Sequence, residues 1–227
     1  MPKFLSGNAL KILAALFMTI DHMGVILFPR VEILRIIGRL ALPIYAFMIA
    51  EGCKYTRNKK KHFGMVFGLG AVCQIVYYFF DGSLYFSILI TFSLSILMIY
   101  AMQYWKQKKT ALSGLVFLSS VIATYLLNQW LTIDYGFWGC MLPVFAALPH
   151  CTDQDRLSAN TTMLGVGLIF LGLSTDAIQC LALLALPLLY AYNGRRGKLN
   201  LKYFFYIFYP THLVLLEGIA MLMYYLK

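Results

Sequence analysis

Apolar residues run through this chain in long blocks separated by short polar and charged breaks. Ala9 to Phe28, Phe63 to Phe80, Phe86 to Trp105 and Tyr203 to Leu226 each approach or exceed the roughly 18–20 residues that cross a hydrocarbon core as a helix. Backbone groups in lipid must be satisfied within helices or a closed barrel, and runs without strict alternation exclude the barrel. The pattern predicts about nine spans, near 9–28, 36–53, 63–80, 86–105, 111–131, 136–149, 161–175, 177–193 and 203–226. The expected fold is therefore all-α, a polytopic integral membrane helical bundle. With no linker, low-complexity tract or fixed-period repeat, residues 1–227 read as a single transmembrane domain.

Composition agrees: 61% of the residues are hydrophobic and 12% charged, about half the charged share of a soluble domain. Lys3 before an apolar stretch imitates a signal peptide. The stretch is too long for a signal core, has no small-residue cleavage site and carries Asp21 and His22, so it reads as retained. Cys53, Cys73, Cys140, Cys151 and Cys180 form no CxxC pair, which argues against a disulfide framework or a zinc site and for thiols in helix packing. No metal is expected.

The net charge of +10 raises the question of nucleic acid, but its placement answers with topology. Loops 54–62, 106–109 and 194–202 hold Lys54, Arg57, Lys59, Lys60, Lys61, Lys106, Lys108, Lys109, Arg195, Arg196, Lys198 and Lys202. They alternate with loops 81–85, 132–135 and 174–176, which contain acids and no Lys or Arg. The positive-inside rule then places the N-terminus in the cytoplasm and the C-terminus outside. Loop 29–35, with Arg30 and Arg35, fits this poorly. Pro43, Pro143, Pro187 and Pro210 fall inside spans, where they kink helices and free carbonyls to line a cavity.

Ionisable groups at mid-membrane cost about 2.5–3.5 kcal/mol each on insertion scales, which makes them functional candidates. Lys11 and His22, eleven positions apart in the first span, share one helix face about 16 Å apart along the axis. A cation at the mouth and an imidazole at depth suit an elongated ligand with an anionic head and a reactive tail. The alternative is a lysine that snorkels to lipid phosphates and a histidine bonded to a neighbouring helix. Asp21 adjoins His22 but diverges from it by about 100° and is expected to pair with another helix. Arg39, after Gly38 and before Pro43, Tyr45 and Glu51, needs a buried carboxylate, Asp21 or Asp134, or else donates to an anion or oxyanion. Asp134, before Tyr135 and Gly136, is an N-cap or a site residue. Asn193, Arg195 and Arg196, flanked by Gly194 and Gly197, are placed to grip phosphate or to fix topology. His212, just past Pro210 in an apolar span, is expected to line a cavity.

These stretches resemble the TraX family, named for a conjugative-pilus factor that N-acetylates pilin. The likeness is carried by Leu10-Lys11-Ile12 through Ile20-Asp21-His22-Met23-Gly24, by Leu34 to Phe47 with Glu51-Gly52 and Thr56-Arg57-Asn58, by Asp134-Tyr135-Gly136, and by Tyr192 to Gly197 with Phe205 to His212. Between 86 and 131 only hydrophobic character matches. TraX proteins are in turn similar to transmembrane acyltransferases, whose O-acetyltransferase branch carries a basic residue and a histidine in the first span, as Lys11 and His22 stand here. The resemblance implies a bacterial inner-membrane acetyltransferase that takes acetyl-CoA from the cytoplasm. It implies His22 as general base, with Arg39 on the oxyanion and Asp21 and His212 as further catalytic groups. Lys11, Arg57, Asn193, Arg195 and Arg196 would hold coenzyme A, and Tyr45, Glu51, Asp134 and Tyr135 would support the site. The imidazole and the basic gatekeeper are expected to share one tunnel. The acceptor, a protein N-terminus, a glycan or a small molecule, stays open, and membrane lipids rather than nucleic acid are the expected surroundings. A transporter of small molecules or ions, or a non-catalytic assembly factor for conjugation or secretion, are the competing readings.

Overall fold

A computed structural model describes residues 3–82, 85–149, 153–198 and 201–226. Helix stands at each predicted span: α1 (Gly7–Ile26), α2 (Glu32–Gly38) with α3 (Ala41–Tyr55), α4 (Lys59–Asp81), α5 (Ile88–Lys108), α6 (Ala111–Trp130), α7 (Gly136–Ala147), α8 (Asp153–Ser174), a 3₁₀ helix (Ala177–Ala185) continuing into α9 (Leu186–Tyr190), and α10 (Lys202–Tyr225). The chain is an all-α membrane helical bundle. Among the described residues six helical stretches are long and apolar enough to cross a membrane, with two shorter apolar ones, Gly136–Ala147 and Ile178–Tyr190.

Three departures from the predicted spans have local causes. The second span opens at Gly38–Leu40, between α2 and α3. Pro43 has no N–H for the carbonyl of Arg39 and its ring crowds that carbonyl, so the break falls where Arg39 leaves the helix. Helix α8 starts at Asp153, eight residues before the predicted span, where Arg156 is buried against Glu51 on α3. The stretch from Ala177 to Tyr190 is short in sequence, but 3₁₀ winding rises about 2 Å per residue and carries it about 25 Å.

Helix α3 is central, touching α1, α5, α7 and α8, while α10 packs on α1 and α4 and α6 lies at the edge. Lipid offers little hydrophobic drive between helices, so close packing and interhelical hydrogen bonds hold the bundle. Ser95 on α5 donates to the Cys140 carbonyl on α7 at 2.7 Å. Lys106 on α5 donates to the Leu148 carbonyl at 2.7 Å, where α7 ends. The segment before α1 is tied to the one after α9: Gly7 and Asn8 donate to the Arg195 and Arg196 carbonyls, each at 2.8 Å. The basic residues gather at one end of the bundle. Among the described residues only Arg30, Arg35 and Arg39 depart from it.

Candidate functional site

Two cavities lie along α1. One, about 270 Å³ and near the basic end, is lined by Asn8, Lys11, His62 and Arg196 among apolar neighbours. The other, about 390 Å³, lies deeper and is lined by Asp21, His22, Arg35, Arg39, Asp134 and Tyr135, among others. Met18, Tyr45, Ile88, Phe92 and Tyr209 line both. The expected single tunnel is thus two chambers meeting at a common wall. Lys11 faces the outer chamber and His22 the inner one.

In the inner chamber His22 Nδ1 lies 2.8 Å from Nε2 of His212, which α10 brings across to α1. Nδ1 of His212 lies 3.0 Å from the Phe208 carbonyl. A carbonyl only accepts, so in the neutral pair His212 carries its proton on Nδ1 and its Nε2 accepts from His22 Nδ1–H. Nε2 of His22 then keeps its lone pair. Both N–H groups of the neutral pair thus have protein acceptors, and His212 is buried against Phe208 and Tyr209.

Beside the imidazoles stands a charged cluster. Asp21 accepts from Arg35 at 2.7 Å and from Arg39 at 2.8 and 3.1 Å. Arg39 also donates from Nη1 to the Tyr135 hydroxyl at 3.2 Å and to Gln179 Oε1 at 3.1 Å, and from Nε to the Arg35 carbonyl at 3.4 Å. All three of its nitrogens are engaged. Asp21 is therefore the buried carboxylate that Arg39 required, and Asp134 is not. Asp134 instead accepts from the Tyr85 hydroxyl at 2.5 Å. Burial pushes its carboxyl up to about 6, against the pull of that hydroxyl and of Arg39. Tyr135 is reached by a left-handed backbone, φ 58°, a conformation that costs a non-glycine residue about 1–3 kcal/mol and concentrates at functional sites. It sets the ring at the entry of α7, within the chamber. Gly38 allows the approach of α2 to α1: a Cβ there would lie 2.3 Å from Asp21.

The remaining sequence-derived residues divide. Tyr45 lies in the wall between the chambers. Arg196 joins Lys11 in the outer chamber. Asn193 Oδ1 accepts from the Arg195 backbone at 2.9 Å and so shapes the loop. The structure brings neither the exposed Arg57 nor Arg195 into the two chambers. Glu51 pairs with Arg156 on the far side of α3. Cys151 lies outside the described residues.

Sequence reasoning missed four participants. Gln179 is the amide at the start of an otherwise apolar run, and that isolation was its signal. Tyr85 and Ser87 sit just outside a span, where polar residues are ordinary. His62, bonded to the Tyr100 hydroxyl at 2.8 Å, was hidden in a lysine run.

A family model described as TraX protein matches residues 6–220. The "Probable fimbrial assembly protein FimC, serogroup H1" of Dichelobacter nodosus is 27% identical over 242 aligned positions, covering 93% of this chain and 94% of that protein. The "Uncharacterized protein RP591" of Rickettsia prowazekii (strain Madrid E) is 33% identical over 132 positions, 57% of this chain and 50% of that protein. No solved structure matches. With the family match running from α1 through most of α10, the chain belongs to the TraX family.

Proposed function

We propose that this protein is a membrane-embedded acetyltransferase that takes acetyl-CoA at the basic end of the bundle and passes the acetyl group to an acceptor hydroxyl or amine in the inner chamber. The observation that carries the reading is the His22–His212 pair, an imidazole with a lone pair at Nε2 backed by a second imidazole ready to take its other proton. In the same reading the basic end faces the cytoplasm of a bacterium bounded by an inner membrane, by the positive-inside rule.

The outer chamber fits a phosphorylated donor. Lys11 and Arg196 supply positive charge, His62 and Asn8 supply polar contacts, and the deeper wall is apolar. Lys11 to His22 is about 16 Å along α1, a distance suited to a pantetheine arm crossing the common wall. Donor chemistry is acyl transfer from a thioester, and the protein's part is positioning and proton movement. His22 Nε2 accepts the proton of the acceptor O–H or N–H as the acceptor lone pair attacks the thioester carbonyl carbon. The Tyr135 hydroxyl, which accepts from Arg39, has its own proton free to donate to the oxyanion. Arg39 holds Tyr135 and Asp21 in place and leaves direct oxyanion contact to Tyr135. As the C–S bond breaks, the proton held by the imidazole pair goes to the departing sulfur. Atoms and charge balance without a metal.

The test is binding of coenzyme A and acetyl-CoA to the purified protein, wild type against Lys11→Ala and His22→Ala. Lys11→Ala should weaken binding, and His22→Ala should bind but lose transfer of labelled acetyl into a membrane extract. Absence of binding by either coenzyme overturns the donor assignment. A second reading, a non-catalytic assembly factor, draws on the name of the Dichelobacter nodosus relative. It expects neither coenzyme to bind.

A further inference from the structure

A third polar cavity, about 300 Å³, opens at the basic end between α3, α5, α8 and the end of α7. It is separate from the two chambers. On α3, Tyr45, Met48, Ile49 and Gly52 face the outer chamber while Glu51 and Lys54 face this cavity. At about 100° per residue these sets lie about half a turn apart.

Its inner wall is the Glu51–Arg156 ion pair, and Arg156 also donates to the Tyr55 hydroxyl at 3.1 Å. One turn further along α8 is Asn160, 5% exposed, whose side-chain oxygen has no hydrogen-bond partner in the protein. Burying an amide acceptor without a donor destabilises the fold. That cost is relieved by a ligand donating to it. Gln103 spends an N–H on the Cys53 carbonyl at 3.2 Å, which leaves its own oxygen as a second acceptor in the wall. Lys54 and Lys106 supply cations, with Lys106 also capping α7. An adjoining cavity shares Lys54 and Arg156 and adds Lys3. Lys54 and Lys106 thus stand in one wall with the side-chain oxygens of Asn160 and Gln103.

Such a wall asks for a ligand that carries both a phosphate and hydroxyl donors. Its position, at the last turns of α3 and α5 where the bundle meets the membrane surface, is where basic interhelical pockets take lipid headgroups. We propose that this cavity binds a hydroxyl-bearing phosphoester, with Lys54 and Lys106 holding the phosphate and Asn160 accepting from a hydroxyl. The chemistry is shared by a polyol phospholipid headgroup in the membrane leaflet at the basic end and by a soluble polyol phosphate. The site is independent of the acetyl-transfer reading.

The experiment measures the melting temperature of the protein in nanodiscs of phosphatidylcholine alone, or with phosphatidylglycerol, or with phosphatidylmethanol. The last has the same charge and no headgroup hydroxyl. A further arm adds glycerol 3-phosphate to the phosphatidylcholine nanodiscs. The expected result is a larger upward shift with phosphatidylglycerol than with phosphatidylmethanol. A shift with glycerol 3-phosphate alone assigns the soluble source instead. Asn160→Leu removes the unpartnered amide, so the variant should melt at or above wild type in phosphatidylcholine and lose the difference between the two anionic lipids. Lys54→Ala should reduce the shift with either. Equal non-zero shifts for the two anionic lipids, no shift with any of the three ligands, or an undiminished difference in Asn160→Leu would each overturn the proposal. Coenzyme A binding, measured in parallel, should be unchanged in Asn160→Leu, which keeps this test apart from that of the acetyl donor.

Discussion

Gly38→Ala tests the packing that sets the reactive chamber. The new Cβ would meet the Cβ and Oδ1 of Asp21 at 2.3 Å, and ordinary contact requires about 1 Å more. Because the clash includes the Cβ of Asp21, side-chain rotation alone does not relieve it, and α1 and α2 must part. A displacement of that size takes the 2.7 and 2.8 Å bonds of Asp21 to Arg35 and Arg39 beyond hydrogen-bond range. Breaking a buried ion pair costs about 3–5 kcal/mol, or about 6–20 °C in melting temperature for a domain of this size. Arg39 also holds the Tyr135 hydroxyl, so acetyl transfer should fall by about 10²-fold, the usual effect of a 1 Å misplacement. The control is Gly218→Ala on α10, where nothing lies within 4 Å of the added carbon. The assays are melting in detergent and transfer of labelled acetyl into a membrane extract. If Gly38→Ala melts together with Gly218→Ala, the account of the Asp21–Arg39 contact is wrong.

Three further outcomes follow from the same geometry. His212→Ala should lower acetyl transfer by on the order of 10² while coenzyme A still binds, and His212→Gln, whose amide oxygen can accept from His22 Nδ1–H, should recover part of it; equal loss in both variants would contradict the part given to that hydrogen bond in orienting His22. Met18→Trp enlarges a side chain in the wall common to the two chambers, so calorimetry should still detect coenzyme A while acetyl transfer disappears. For Asp134, whose folded carboxyl titrates near 6 against an ordinary 3.8, the folded state binds more protons than the unfolded one between those values. Wild-type stability therefore falls as pH rises through that window. Asp134→Asn removes this dependence, so its melting temperature relative to wild type should climb from about pH 4 to about pH 6 and then level off; a difference that does not vary with pH contradicts the assignment.

The bundle was legible in the sequence because hydropathy reports burial in lipid directly, and each apolar block became helix. What escaped was polar structure inside the fold. The first turns of α8 read as a loop since Asp153 to Thr162 are mostly hydrophilic, yet Arg156 and Asn160 are buried, Arg156 against Glu51 and Tyr55 on α3. Lys11 and His22 were placed on one face by helical periodicity alone. The 2.8 Å approach of His212 to His22 depends on α10 returning to α1 across 190 positions of sequence, which no local pattern encodes. The break at Arg39 was foreshadowed by Pro43. The full set of guanidinium partners was not, because two of them, Tyr135 and Gln179, come from distant segments.

The most direct test of the central claim is the position of bound coenzyme A, determined by electron cryomicroscopy of the protein in nanodiscs. The nucleotide should lie beside Lys11 and Arg196, with the sulfur through the wall formed by Met18, Tyr45 and Phe92 and within the chamber that holds His22 and Tyr135. Density for the coenzyme at the Glu51–Arg156 cavity, or a sulfur left on the Lys11 side of an unbroken wall, would contradict it.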